Sequence, residues 1–159
     1  MELIIFVGLQ GAGKSTFFRT HFVSTHDLVS KDLIGNNRHP ARRQCQLIEE
    51  ALQAGHSVVV DNTNPTVANR AELIQSGRLY NAEIVGYYFE TSVSQALARN
   101  RQRTGKDRVP DIAIFATIKK LTRPTYKEGF DKLFYVSAND DGTFNMSCAL
   151  KDKEEERDT

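Results

Sequence analysis

The stretch of this chain that most constrains its fold is "GLQGAGKS" at positions 8–15, directly after the apolar run "LIIFV" at 3–7. It matches the pattern G-x-x-x-x-G-K-[ST] in full, and a helical pattern from Lys14 to Phe22 follows it. Between a strand and a helix, small residues let backbone N–H groups surround a phosphate. The sequence therefore predicts a strand, a phosphate-binding loop and a helix, rather than a glycine-rich turn without a ligand.

The chemistry of the loop depends on two of its side chains. The Lys14 ammonium can reach the β- and γ-phosphates of a nucleotide, and the Ser15 hydroxyl can bind Mg²⁺. We expect ATP rather than GTP as the nucleotide, because the guanine-recognition pattern N-K-x-D is absent from the sequence. With Mg²⁺ at Ser15, the expected cofactors are ATP and Mg²⁺. The loop does not identify the reaction, since ATPases, GTPases, small-molecule kinases and nucleic-acid kinases all use one.

Beyond the loop, short apolar runs alternate with longer helical patterns, which predicts an α/β fold. Predicted strands lie at 3–7, 28–30, 57–60, 82–89 and 132–136, and predicted helices at 14–22, 41–55, 65–74, 92–103 and 111–122. The expected architecture is a central, mainly parallel five-stranded sheet flanked by helices. A turn through Asp141 and Gly142 could add a sixth, antiparallel piece.

Length and composition predict one domain at 1–150 and a charged, flexible tail at 151–159. The chain has 159 residues, of which 40% are hydrophobic, and a formal net charge of +1. Its first ten residues lack the basic start of a signal peptide, and no apolar run is long enough to span a membrane. Cys45 and Cys148 fit no metal-binding spacing. We expect an intracellular, cytoplasmic protein, with a nuclear location left open, and the sequence predicts no partner protein.

The segment "LVSKDLIG" at 28–35 carries one acidic residue, Asp32, after the second predicted strand. The carboxyl ends of parallel strands meet at one edge of the sheet, so Asp32 can return to the phosphate-binding loop. A carboxylate at that point can accept the proton of an attacking hydroxyl. The alternative is that Asp32 is the N-cap of a short helix, and the spacing by itself leaves both interpretations open.

A second acidic residue, Asp61, ends the third predicted strand in "VVVDNTNP" at 58–65. This edge of the sheet is where an acidic residue holds Mg²⁺, directly or through water. The polar residues after it, Asn62, Thr63 and Asn64, could contact a ligand. They could instead cap the next helix, for which we predict Asn64 as N-cap with Pro65 in the first turn.

Five cations cluster after the fourth predicted strand, in "RNRQRTGKDR" at 99–108. Arginines in a lid at this point can close over the phosphates and stabilise the charge that develops during transfer. Their alternative role is to stabilise a helix C-terminus. We predict that Arg103 faces the loop and is catalytic.

Together these segments resemble the kinase domain of the polynucleotide 5′-hydroxyl kinase family, in its phage and animal branches. The resemblance runs from about Ile4 to Val136, nearly the whole chain except the tail. It is carried by "GLQGAGKST", "VSKDLIG", "VVVDNTNP" followed by "NRAELI", and "RPTYKEGF". The loop alone is generic, whereas D-N-T-N-P together with P-T-x-x-E-G-F is far more specific.

The resemblance implies a P-loop kinase fold with a small lid, and a kinase that phosphorylates a nucleic acid bearing a 5′-hydroxyl. It implies Asp32 as the general base, which resolves the two interpretations of that residue. We accordingly predict Lys14, Asp32 and Arg103 as catalytic residues. The predicted cofactor-binding residues are Gly11, Ala12, Gly13, Lys14, Ser15, Thr16 and Arg99, the predicted substrate-binding residues are Asp61, Asn62, Asn64 and Arg70, and Ser15 and Asp61 are the predicted Mg²⁺ ligands.

The chain departs from the family pattern at three points. Ser30 and Lys31 replace the asparagine and arginine of the family's N-R-D motif, and Gly35 replaces an arginine of the phage branch. In "NDDGTF", Asn139 stands where a phosphatase would need its nucleophilic aspartate, so a hairpin turn is the better interpretation. Two alternatives stay open: a kinase of a small metabolite, nucleoside or nucleotide-sugar hydroxyl, and a non-enzymatic nucleotide-binding module.

Overall fold

The computed structural model describes residues 1–151, apart from the side chain of Lys106. A central sheet contains six strands in the order β2-β3-β1-β4-β5-β6. The strands are β1 (Glu2–Val7), β2 (Asp27–Val29), β3 (Val58–Val60), β4 (Glu83–Phe89), β5 (Lys132–Ala138) and β6 (Phe144–Cys148). The helices are α1 (Lys14–His21), α2 (Lys31–Ile34), α3 (Pro40–Gln53), α4 (Val67–Leu79), α5 (Val93–Gln102) and α6 (Asp111–Lys120).

The predicted α/β fold with a mainly parallel sheet is confirmed. The first five strands pair in parallel, with β1 in the centre between β3 and β4. The sixth, antiparallel piece that the sequence allowed is present in addition to the five predicted strands, because β6 pairs antiparallel with β5 after a turn at Asp141 and Gly142. Gly142 has a φ of +86°, which a glycine adopts at little cost in this tight turn.

Both faces of the sheet are covered, as the apolar character of β1 predicts. Leu3 and Ile5 face a core that includes residues of α3 and α4, whereas Ile4 and Phe6 face a core that includes residues of α1. All four side chains are fully buried. A smaller cluster around Ile114 joins α5 and α6 to the phosphate-binding loop.

The expected N-cap at Asn64 and the alternative N-cap at Asp32 are both replaced by neighbouring residues. Thr66, not Asn64, is the N-cap of α4, because its side chain accepts a hydrogen bond from the Asn69 backbone N–H. Ser30, not Asp32, is the N-cap of α2, and its hydroxyl accepts from the Asp32 backbone N–H at 3.3 Å. Asp32 therefore lies inside α2, and its carboxylate has no capping role at that end.

The expected tail at 151–159 lies almost entirely outside the described residues. Within residues 1–151, no helix is both long enough and apolar enough to cross a bilayer.

Arg70 occupies a position that its predicted substrate contact does not allow. Its side chain is fully buried on α4, and its Nε donates to the Glu128 carboxylate at 2.7 Å. Its Nη1 donates to the Asn64 carbonyl oxygen at 2.9 Å. With no exposed surface, the guanidinium cannot touch a substrate, so the prediction for Arg70 is corrected to a structural role.

This buried ion pair gives a prediction about stability. Glu128→Ala leaves the Arg70 charge without a partner in the core and should lower the free energy of unfolding by about 3–5 kcal/mol. Urea denaturation followed by circular dichroism measures the loss. The matched control is Lys132→Ala, which removes an exposed partner of Glu83 and should leave the midpoint nearly unchanged. Equal losses in the two variants would contradict the assignment.

Candidate active site

The phosphate-binding loop is shaped by glycines that no other residue could replace without strain. Gly11 has a φ of +79°, and a Cβ there would lie 2.9 Å from the Ala96 carbonyl oxygen on α5. Gly13 has a φ of +94° and is the N-cap of α1. The buried Ala12 donates its N–H to the Leu9 carbonyl oxygen at 3.2 Å, which tightens the loop. The loop therefore wraps closely around the N-terminus of α1.

Lys14 is enclosed by the loop that it follows. Its Nζ donates to the Gly8 carbonyl oxygen at 3.0 Å and to the Leu9 carbonyl oxygen at 2.7 Å. Burial lowers the pKa of the Lys14 ammonium to about 8, partly opposed by the carboxylates of Asp61 and Asp32. The charge of Arg103 also lowers this pKa. Asp32 and Arg103, the other two predicted catalytic residues, therefore both lie close enough to affect Lys14.

Ser15 and Asp61 meet although they lie far apart in the sequence. The Ser15 hydroxyl donates to Asp61 Oδ2 at 2.8 Å. Burial raises the pKa of the Asp61 carboxyl, while Lys14 and the bond from Ser15 act in the opposite direction. A hydroxyl and a carboxylate oxygen are hard ligands of the kind that Mg²⁺ takes beside substrate phosphates. Within residues 1–151, no larger group of His, Cys, Asp and Glu is arranged to hold a metal.

Asp32 lies at the edge of the same cleft. Its side chain is exposed on the first turn of α2, and it lines the cleft together with Lys14, Ser15 and Asp61. The parallel pairing of β2 with β3 explains this position, because both strands end at the same edge of the sheet. The Asp61 backbone N–H donates to the Val29 carbonyl oxygen at 2.9 Å and fixes the two ends together.

The predicted lid arginines occupy two different positions. Arg99 lies on α5 and donates to the Gly11 carbonyl oxygen at 3.4 Å and to the Ala138 carbonyl oxygen at 3.2 Å. Arg103 caps the C-terminus of α5 and lines the cleft, with one bond to the Asp107 carbonyl oxygen at 3.4 Å. Arg99 thus joins the loop to the end of β5, whereas Arg103 faces the cleft.

The predicted lid is the segment 103–110 between α5 and α6, and its second end is fastened to α5. The buried Asn100 donates from Nδ2 to the Val109 carbonyl oxygen at 2.6 Å, and its Oδ1 accepts the Val109 N–H at 2.9 Å. Helix α6 is also joined to the phosphate-binding loop, because Gln10 Nε2 donates to the Thr117 hydroxyl at 2.9 Å. These bonds hold Arg103 near the phosphate-binding loop.

The asparagines after β3 make bonds within the protein. Asn64 is buried and donates from Nδ2 to the Phe6 carbonyl oxygen at 2.8 Å. Asn62 accepts the Lys31 backbone N–H at 2.9 Å and donates to Gln44 Oε1 at 2.6 Å. Both residues line the cleft, but their side-chain amides hold β1, α2 and α3 in place.

Two adjacent cavities surround the loop. The cleft that contains Asp32 has a volume of about 690 Å³, and a second cavity of about 550 Å³, lined by Arg99, shares Thr16 and Arg103 with it. Sequence reasoning missed Arg19, which lines the cleft; its spacing of one helical turn from Ser15 could have indicated it. It also missed Phe144 in the second cavity, for which no local signal exists because β6 reaches the loop only through the hairpin.

Comparison with known proteins agrees with this architecture. The AAA_33 family model, described as an AAA domain, matches residues 3–124. A solved structure of Chaetomium thermophilum Kti12 in complex with ADP-AlF3 superposes with a TM-score of 0.68 at 16% identity, covering 87% of this chain and 90% of that one. At this identity the likeness shows the fold.

Two curated relatives extend the comparison. The chain is 28% identical over 134 residues to a bifunctional polynucleotide phosphatase/kinase of Schizosaccharomyces pombe, covering 81% of this chain and 32% of that protein. It is 32% identical over 143 residues to an Acanthamoeba polyphaga mimivirus protein named for the same two activities, covering 86% of this chain and 33% of that one. The chain spans about a third of the length of these relatives. The predicted resemblance to the polynucleotide kinase family is confirmed, and the chain belongs to the AAA_33 family of P-loop kinase domains.

Proposed function

We propose that this chain is an ATP-dependent kinase that transfers the γ-phosphate to the 5′-hydroxyl of a polynucleotide. The observation that carries the proposal is the convergence of Lys14, Asp32, Asp61 and Arg103 on one cleft, with Ser15 beside them. A phosphate-binding loop, a carboxylate base and a lid arginine are the groups that phosphoryl transfer to a hydroxyl needs.

Each residue has one step in this reaction. Asp32 accepts the proton of the acceptor hydroxyl as the hydroxyl oxygen forms a bond to the γ-phosphorus. The bond from that phosphorus to the oxygen shared with the β-phosphate breaks, and ADP leaves with the electron pair. Lys14 and Arg103 stabilise the negative charge on the transferring group. The products are a phosphate ester and ADP, and the proton on Asp32 passes to solvent.

Ser15 and Asp61 fit a magnesium ion, since their oxygens lie together beside the loop. When bound, Mg²⁺ neutralises charge on the β- and γ-phosphates. Ser15 would hold the ion with its hydroxyl oxygen, and Asp61 would hold it with its carboxylate, directly or through water.

The second cavity suits the nucleobase of ATP. It is lined by Arg99 and Phe144, and a guanidinium and an aromatic ring are the kinds of group on which a base stacks. Asn139, at the rim of the same cavity, has amide groups that can bond to base edges. The loop residues Gly11 and Gly13 line both this cavity and the cleft that contains Asp32, so one nucleotide bound at the loop can reach both.

Two observations favour a nucleic acid as the acceptor. The two curated relatives are named as polynucleotide phosphatase/kinases. In addition, the segment that carries Asp32 is basic: Lys31, Arg38 and Arg42 are exposed, and none of them has an ion-pair partner within residues 1–151. Arg19 is a fourth exposed cation, and it lines the cleft together with Lys31 and Asp32. Arg38 and Arg42 follow Asp32 along the chain, outside the residues that line the cleft. Exposed cations of this kind are suited to the phosphates of a strand whose 5′ end enters the cleft.

The proposal predicts phosphate transfer that depends on Asp32. Labelled ATP and a 5′-hydroxyl oligonucleotide should give a 5′-labelled product, and Asp32→Asn should lower kcat by about 10²–10⁴ with unchanged ATP affinity. The matched control is Asp27→Asn, at the opposite end of β2, which should leave kcat unchanged. If a nucleoside or a sugar were labelled but no oligonucleotide, the acceptor would be a small molecule and the polynucleotide assignment would be wrong. ATP binding with transfer to none of them would refute the kinase proposal.

The basic segment predicts a salt-dependent acceptor affinity. Arg38→Ala and Arg42→Ala should each raise the KM for the oligonucleotide, leave the KM for ATP unchanged, and reduce the slope of log affinity against log salt by about 0.7. Lys132→Ala removes a cation at the amino end of β5, the end of the strand away from the site, and should change none of these values. A salt slope that is the same in all variants would contradict the contact.

Lys14 predicts a pH dependence of nucleotide binding. The pKa of Lys14 is lowered to about 8 by burial, so the ammonium is charged at neutral pH and loses its charge as the pH rises through that value. ATP affinity should therefore fall as the pH is raised above about 8. Lys14→Arg keeps its charge throughout and should bind more weakly, but with no such decline. Isothermal titration calorimetry measures the ATP affinity of both proteins as a function of pH. An equal fall in affinity in the wild type and in Lys14→Arg would exclude Lys14 as the cause.

A further inference from the structure

Asp32 lies on a short support. Helix α2 has only four residues, and none of them is buried. A helix of this length is not stable by itself, so its orientation depends on contacts from outside. One contact is local, since the Ser30 hydroxyl accepts the Asp32 backbone N–H. The other comes from the loop after β3 and from α3.

That second contact is a chain of two hydrogen bonds. The Lys31 backbone N–H, in the first turn of α2, donates to Asn62 Oδ1 at 2.9 Å. Asn62 Nδ2 donates to Gln44 Oε1 at 2.6 Å. Gln44 is 7% exposed on α3, a helix of 14 residues that packs on the sheet through Ile48 and Leu52.

The direction of both amides is fixed by chemistry. A backbone N–H can only donate, so the atom of Asn62 that it meets must be the oxygen. The Asn62 nitrogen then points to Gln44, and the Gln44 atom that receives it must also be an oxygen. Gln44 therefore acts as an acceptor at the buried end of the chain, and a side chain of the same size without an acceptor would leave the Asn62 N–H unpaired.

We propose that Gln44 is a positioning residue for Asp32 and acts through Asn62. The inference rests on the proposed role of Asp32 as general base. The rigid α3 holds Gln44, Gln44 orients the Asn62 amide, and Asn62 fixes the first turn of α2 from which the Asp32 carboxylate projects. Small displacements of a catalytic group are costly because transfer needs the reacting atoms in line.

The first experiment compares two substitutions at one position. Gln44→Met keeps the length but removes the acceptor, and should lower kcat at least about tenfold while the KM for ATP stays unchanged. Gln44→Glu keeps an acceptor oxygen and should restore most of kcat. Gln53→Met, on an exposed position of the same helix, is the matched control and should behave as wild type. Equal kcat values for wild type and Gln44→Met would overturn the inference.

The second experiment separates positioning from a general loss of structure. In the Asp32→Asn background, Gln44→Met should lower kcat by less than about twofold, because a positioning effect disappears with the group that is positioned. The same tenfold loss in both backgrounds would show that Gln44 acts elsewhere. If Gln44→Met does not fold, Asn62→Leu replaces it in the same cycle with the same expected outcomes. An Asp32→Asn variant with full activity would instead refute the general base, which distinguishes the two failures.

Discussion

The parallel pairing of β1 with β3, with β2 beside β3, is the constraint on which the site depends. It aligns the carboxyl ends of three strands, so the loop after β1, Asp32 after β2 and Asp61 after β3 reach one edge of the sheet. The Gly8 N–H then donates to the Thr63 carbonyl oxygen at 3.0 Å, which joins the phosphate-binding loop to the loop after β3. The other contacts of the site, including the hydrogen bond from Ser15 to Asp61, can form only because the ends of these strands are aligned.

Two of the segments that carry the family resemblance prove to be one structural unit. Arg70 in "NRAELI" and Glu128 in "RPTYKEGF" form the buried ion pair, and Arg70 also binds the Asn64 carbonyl oxygen at the end of D-N-T-N-P. Asn64 in turn binds the Phe6 carbonyl oxygen near the end of β1. These bonds connect α4 and the segment that carries Glu128 to the end of β1, just before the phosphate-binding loop. Apart from Asp61, the residues of the specific motifs in these bonds therefore fix the shape of the site rather than provide its reacting groups.

The site buries opposite charges, and burial shifts the pKa values of two of these groups in opposite directions. The pKa of Lys14 is lowered and that of Asp61 is raised, each mainly by burial and each partly compensated by the other. Arg103 and Asp32 add a second pair of opposite charges to the lining of the same cleft.

The sequence by itself determined the α/β fold, the phosphate-binding loop and the order of its strands and helices, because apolar periodicity and a glycine pattern are local properties. It also indicated Asp32, Asp61 and Arg103 through their spacing after predicted strands. It offered β6 only as a piece that a turn could add, it assigned Arg70 to the substrate, and it gave no sign that Gln44 accepts a hydrogen bond from Asn62. Only the tertiary structure decided these points. Arg70 with Glu128 and Asn62 with Gln44 are pairs of residues that lie far apart in the chain. Whether such residues meet depends on how the helices pack on the sheet, and no local sequence pattern encodes that packing.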